Sequence, residues 1–136
     1  MNSQQSLEAA LRYLKLGWCV IPVGQKPDGS WKKPLVHWRE FQMNLPTETE
    51  VKSWWENWSD ARIGIVTGKI SGLVVVDIDP RNGGLASSID LPQTLVVKTG
   101  GDGEHYYYSY PSDADIPSRS AYPTNGIDIR AEGGMV

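Results

Sequence analysis

The sequence predicts a single loop-rich α/β domain spanning residues 1–136. Three observations carry this. The chain is 136 residues long and 40% hydrophobic, enough to bury one real core. Two stretches in the first half carry apolar residues at helical spacing, whereas the second half is built of short β-branched and aromatic runs. Fourteen glycines and nine prolines punctuate those runs, which favours strands and turns over a helical bundle.

Taken in order, Ser3 to Leu16 reads as an amphipathic helix, with Leu7, Ala10, Leu11 and Leu14 on one stripe, Ser3 or Ser6 as cap and Gly17 as its stop. Trp18 to Val23 reads as a strand with Pro22 near its end or on an edge. Gly24 to Pro34 is a loop in which Lys32 and Lys33 precede Trp38. It is either a solvated basic loop or a phosphate or template contact. A second helix opens at Leu45-Pro46-Thr47 and runs to about Trp58. Thr47 and Glu50 have capping-box spacing, and Val51, Trp54, Trp55 and Trp58 form a packing stripe. Most of the six tryptophans are expected in the core.

Ile63 to Gly68 reads as a strand ending in a Thr-Gly turn, closely followed by Leu73 to Asp79; the short separation predicts a hairpin or tight pairing. Leu85 to Ile89 is expected to form a short helical turn. Thr94 to Thr99 and Glu104 to Tyr110 form a predicted hairpin around a glycine-rich turn, with His105, Tyr107 and Ser109 on one face. Pro111 to Thr124 is read as a loop, and Gly126 to Arg130 as a last strand in which Asp128 and Arg130 share a face. The chain stops as an apolar segment begins at Met135-Val136, which is expected of a fragment of a longer protein.

Charge and cysteine content narrow the function classes. The net charge of −3 hides an asymmetry: residues 1–39 carry six basic and two acidic residues, the remainder seven basic and fourteen acidic. The first part suits a polyanion and the second a cation. Cys19 is the only cysteine, so no internal disulfide or cysteine-based zinc site is expected. No signal peptide or membrane-spanning run is present, which points to a cytoplasmic protein without membrane partners.

The chemistry centres on Leu73-Val74-Val75-Val76-Asp77-Ile78-Asp79-Pro80. Strand alternation puts Asp77 and Asp79 on one face, and Pro80 ends the strand. If the strand bearing Asp128 lies beside it, three carboxylates converge. Such hard oxygen ligands suit Mg²⁺ or Mn²⁺, and two ions can assist an in-line phosphoryl displacement. His105 reads as a metal ligand, an acid/base, a phosphate contact or a structural strand histidine. It follows Gly100-Gly101-Asp102-Gly103, whose glycines allow close approach of backbone amides to phosphate. The run lacks the order of a Walker loop and opens a strand, so no helix dipole supports it. Arg130 and Lys33 are candidate clamps on triphosphate charge, Arg130 equally a partner of Asp128. His37 has no evident partner and is read as structural.

Several stretches together resemble one family. They are Gly17 to Val23, Lys33-Pro34 with Trp38, Trp54-Trp55, Ile63 to Gly68, Gly72 to Asp79, Leu91 to Thr94, Thr99 to Tyr106, and Gly126 to Gly134. In this order they resemble the N-terminal domain of bifunctional DNA primase/polymerases of the archaeo-eukaryotic primase superfamily, found in plasmids, phages and mobile elements. The resemblance implies an α+β fold, with a mostly antiparallel central sheet of RNA-recognition-motif type beside an N-terminal α/β unit. It implies that Asp77, Asp79 and Asp128 bind two Mg²⁺ or Mn²⁺ ions and that His105 contacts nucleotide phosphates. Gly100, Gly101, Gly103, Lys33, Arg130 and Thr67 are read, on the residues themselves, as further candidate nucleotide- or phosphate-binding positions. The resemblance further implies primer synthesis from NTP or dNTP on a single-stranded DNA template, with a fused or associated helicase. Because the family domain usually continues with another strand and helix, residues 1–136 are expected to be cut short at the C-terminal end.

Two rival readings remain open on the residues themselves. The Asp-x-Asp pair also fits a metal-dependent sugar-nucleotide transferase, although nothing reads as an acceptor-sugar site. The basic first 39 residues and the aromatics also fit a non-catalytic module that holds single strands or nucleotide.

Overall fold

A computed structural model describes residues 2–136 as an α+β protein whose two small sheets are antiparallel. The chain forms two compact units, residues 1–66 with 135–136, and residues 67–134.

The first unit begins with helix α1 (Ser3–Lys15). Its cap is Asn2 rather than Ser3 or Ser6. Asn2 has the extended backbone a cap needs and exchanges hydrogen bonds with Gln5, at 2.9 Å from the Gln5 amide and 3.0 Å to Gln5 Oε1. Ser6 is buried within the helix, and the inward face is Ser6, Ala9 and Ala10, while Leu7, Leu11 and Leu14 are half-buried. Gly17 ends the helix at φ +89°, a conformation open to glycine.

Strand β1 (Cys19–Gly24) lies between the two-residue strand β2 (Lys33–Pro34) and strand β3 (Arg62–Val66). Pro22 therefore sits in a central strand, not on an edge. The Pro22 carbonyl accepts from the Leu35 amide at 3.0 Å, so the missing N–H faces the side where pairing is short. Helix α2 (Glu48–Asn57) starts at the Thr47/Glu50 capping box. It buries Val51, Trp54 and Trp55; the Trp55 indole donates to the Ala61 carbonyl at 3.1 Å, and Trp54 meets Phe41 edge to face. These are the only two buried tryptophans among the described residues; Trp18, Trp31, Trp38 and Trp58 are half-buried, against the expectation that most would be core. Cys19 is buried, its thiol donating to the Phe41 carbonyl at 3.0 Å, and burial pushes its pKa up to about 12. The apolar Met135-Val136 pairs back onto β3, with Val136 and Ile65 exchanging hydrogen bonds of 2.8 and 2.9 Å.

The second unit is built on a sheet ordered β5 (Leu95–Lys98), β6 (Glu104–Ser109), β4 (Leu73–Ile78) and β7 (Ile127–Arg130), all neighbours antiparallel. The predicted hairpin of β5 with β6 is present. The predicted pairing of Ile63–Gly68 with the aspartate strand is not: β3 belongs to the other sheet, and only Gly68 bridges Leu73 across a tight turn. One face of the sheet carries Val76, Ile78 and Ile127, packed by Ala86, Ile89, Leu91, Tyr106, Tyr108 and Ile129. The opposite face carries Asp77, His105 and Asp128, because strand alternation separates them from their apolar neighbours. Among the described residues no helix is long and apolar enough to cross a membrane.

Candidate active site

Asp77 lies in the central strand of three, and the antiparallel register sets His105 of β6 opposite it on one side and Asp128 of β7 on the other. Directly opposed residues of an antiparallel pair project to the same face about 5 Å apart. A row of His105, Asp77 and Asp128, in that order across the sheet, is thus fixed by register rather than by loop conformation. All three side chains keep about a quarter or less of their surface: 24% for Asp77, 27% for Asp128 and 19% for His105. His105 Nε2 approaches Asp77 Oδ1 at 3.4 Å.

Two carboxylates this close need a positive neighbour. Arg130, two residues beyond Asp128 on the same face, supplies it. Its guanidinium donates to Asp128 Oδ2 at 2.9 Å and lies 3.9 Å from Asp77 Oδ2. The other Asp128 oxygen accepts from the Ala121 amide at 2.8 Å. Ala121 reaches it from a chain segment that pairs with the outer side of β7, with Arg119 bridging Ile129, and it does so at φ +51°, unusual for a side chain with a Cβ. Nothing in the local sequence signalled this contact.

Asp79 follows the strand and caps a 3-10 turn, Pro80–Asn82. Its Oδ1 accepts from the Arg81 amide at 3.0 Å and its Oδ2 from Asn82 Nδ2 at 2.9 Å, with Arg81 Nε at 3.4 Å. Strand β4 ends at Ile78, so Asp79 lies just outside the ladder that positions Asp77, and its carboxylate is engaged by its own turn. The turn is held by two glycines. Asp79 N donates to the Gly126 carbonyl at 2.7 Å and Gly84 N to the Asp79 carbonyl at 2.9 Å. A Cβ on Gly84 would stand 2.2 Å from the Gly126 carbonyl oxygen, so this close backbone approach requires glycine.

The glycine-rich run forms a 3-10 turn, Gly100–Asp102, with Asp102 at φ +64°. Gly100 has open space where a side chain would be. Gly103 instead packs tightly: a Cβ there would stand 2.3 Å from Thr99 Oγ1 and 3.2 Å from the Ile78 carbonyl. Its glycine character serves the packing of the turn on β4. Gly101 belongs to the turn but otherwise lies outside the described residues. Thr67, expected to contact phosphate, is 2% exposed and its hydroxyl donates to the Ala131 carbonyl at 2.7 Å, a structural contact. Lys33 is exposed on β2 of the first unit.

The donor set fits a hard divalent ion in kind, since Asp77, Asp79 and Asp128 offer carboxylate oxygens. In arrangement it is not gathered: among the described residues no group of three or more His, Cys, Asp or Glu side chains is placed to hold a metal ion. Arg130 stands against Asp77 and Asp128, and Asp79 is held by Arg81 and Asn82.

Compared with known families, residues 10–136 match the model described as bifunctional DNA primase/polymerase, N-terminal. No curated protein matches the chain.

Proposed function

Because the chain belongs to the bifunctional DNA primase/polymerase N-terminal family, a primase/polymerase-type replication domain, we propose that it is the nucleotidyl-transfer domain of a replication enzyme. Its substrates would be NTP or dNTP and a single-stranded DNA template, and its setting the cytoplasmic replication of a plasmid, phage or mobile element, with a helicase fused or associated. The observation that carries this reading is the row of His105, Asp77 and Asp128 across three adjacent strands. The antiparallel order β5-β6-β4-β7 supports kinship of this sheet with the RNA-recognition-motif type.

In this reaction a 3′-hydroxyl oxygen forms a bond to the α-phosphorus of the nucleoside triphosphate. The bond from that phosphorus to the bridging oxygen breaks, and pyrophosphate leaves. Asp77, Asp79 and Asp128 would hold Mg²⁺ or Mn²⁺, which supplies charge for the developing negative oxygens. His105, on the edge of the acid row, donates from its ring to phosphate oxygen and orients it. Gly100 is exposed in the turn before the His105 strand, and its amide would add a neutral donor. Arg130 carries a fixed cation between the two opposed acids and is the charge nearest to an entering triphosphate.

The test is metal-dependent, template-dependent incorporation of labelled nucleotide. Wild type is expected to lose incorporation in chelator and to regain it with Mg²⁺ or Mn²⁺, while Asp77→Asn falls at least about 100-fold. Full activity of both Asp77→Asn and Asp79→Asn would overturn the mechanism. A second reading, a module that holds strand or nucleotide without turnover, is favoured by the closure of Asp77 and Asp128 on Arg130. Strand binding indifferent to divalent ions, with no incorporation, would select it.

A further inference from the structure

Two arginines stand against the acids of the candidate site, and they are not alike. The Arg81 side chain is 70% exposed and touches Asp79 through Nε, at 3.4 Å. Asp79 does not depend on it, because the Arg81 amide and Asn82 Nδ2 hold the carboxylate at 3.0 and 2.9 Å. Such an exposed pair is screened and weak. The Arg130 side chain is 30% exposed and reaches two acids from one guanidinium.

The register explains why Arg130 takes this position. It stands opposite Val75, which is fully buried and apolar, so β4 offers it no polar side chain in its own row. Asp77 and Asp128 form the adjacent row on the same face. The guanidinium turns to them and meets Asp128 Oδ2 at 2.9 Å and Asp77 Oδ2 at 3.9 Å. The remaining two oxygens have other neighbours: Asp128 Oδ1 accepts from the Ala121 amide at 2.8 Å, and Asp77 Oδ1 lies 3.4 Å from His105 Nε2. The two oxygens left to join the acids, one from each, are those on which Arg130 stands.

A divalent ion joining Asp77 to Asp128 needs the same two oxygens, at about 2.1 Å from each for Mg²⁺. Two cations cannot share them, since they repel each other at the distance at which both are attracted. A guanidinium also keeps its proton at every working pH. A change of pH therefore does not release Arg130, whereas a competing cation on the acids or an oxyanion on the arginine does.

We propose that Arg130 is a built-in competitor of the divalent ion: guanidinium and ion are alternative partners of Asp77 Oδ2 and Asp128 Oδ2, and Arg130 thereby sets the metal affinity of the site. The inference rests on the reading of Asp77 and Asp128 as metal ligands given above, and on no particular reaction. It reverses the ordinary expectation for a site residue, because removing Arg130 strengthens binding instead of weakening it.

The probe is Mn²⁺ alone, titrated into the whole chain without nucleotide or template, with the free ion followed by its electron paramagnetic resonance signal. Arg130→Gln, which keeps an N–H for Asp128 but loses the charge, and Arg130→Met are each expected to bind Mn²⁺ about 10-fold or more tighter than wild type. Arg81→Met, which removes an equal charge from the exposed pair, is expected to tighten binding by less than about 3-fold. The gain in Arg130→Gln is expected to vanish when Asp77→Asn or Asp128→Asn is added. Circular dichroism confirms that each variant is folded; if Arg130→Met is not, Arg130→Gln decides. The proposal is overturned if the folded Arg130 variants bind Mn²⁺ no tighter than wild type, including the case in which none binds. It is equally overturned if Arg81→Met tightens binding as much, or if the gain survives loss of either acid. Tighter binding in the Arg130 variants, in a protein whose wild type incorporates no nucleotide, keeps the competitor and removes the catalytic reading. Incorporation that needs Asp77, with no tightening in the Arg130 variants, does the reverse.

Discussion

Replacing Arg130 by methionine isolates the electrostatic problem that the register creates. Register sets Asp77 opposite Asp128, and Arg130 stands 2.9 Å from one carboxylate and 3.9 Å from the other. At an effective dielectric of about 20 those separations correspond to gross attractions of about 6 and about 4 kcal/mol. Desolvation and side-chain ordering offset most of this, leaving roughly 1–3 kcal/mol net for a partly buried network. Removal of the guanidinium also exposes each acid to the other at about 5 Å, a repulsion between under 1 and about 3 kcal/mol depending on water access. Arg130→Met in chelator is therefore expected to lose about 1–3 kcal/mol in urea denaturation. Adding Asp128→Asn removes one of the two like charges, and the amide oxygen can still accept from the Ala121 amide. The double variant should thus be more stable than Arg130→Met alone, by roughly 1 kcal/mol. A double variant that is equally unstable or less stable would refute the reasoning, because the acids would then not be what Arg130 restrains.

Further expectations concern the frame around the site. Gly84→Ala should cost about 2–3 kcal/mol in urea denaturation, because its Cβ meets backbone that cannot move aside; a loss under about 0.5 kcal/mol would contradict the close approach. Thr47→Ala should cost about 1 kcal/mol by removing the acceptor for the Glu50 amide, and Thr47→Ser should recover most of it. Cys19 should resist an aromatic disulfide reagent in the native state and react fully in urea. Burial raises its pKa from 9.0 to about 12, so its contribution is complete below pH 9. As pH rises from 9 towards 12 the unfolded state ionises first, and stability should fall by up to about 1.4 kcal/mol per pH unit from this group. Cys19→Ser, compared across that range, separates its share from that of other groups.

The readings that survived contact with the structure were those with strong local causes. The Thr47/Glu50 cap, the Gly17 stop and the strand ending at Pro80 follow from backbone chemistry within a few residues. The opposition of Asp77 to His105 and Asp128 needed only the right neighbours, and alternation had already put each on a single face. What sequence did not disclose depends on distant partners. The Ala121 amide on Asp128 comes from a loop of unremarkable composition. Nothing in the residues after Pro80 showed that Asn82 would occupy Asp79 or that Gly84 would touch Gly126. Gly103 suggested room for phosphate, whereas the glycine is required by Thr99 and β4. The tryptophans misled because an amphipathic ring satisfies helix packing and half-exposed surface equally well.

The return of Met135 and Val136 to β3 makes the first unit discontinuous in the chain. Its last strand contacts wait on the whole of Thr67–Gly134 to be synthesised and to bring its ends together. Those ends are already joined in the second unit, where the Thr67 amide donates to the Gly134 carbonyl at 3.0 Å. A second unit that closes first turns a costly loop closure into a local pairing for Val66 and Met135. The arrangement is that of an inserted module with adjacent ends, so bridging residue 66 to residue 135 with a short glycine linker offers a way to obtain the first unit without the acid-bearing sheet.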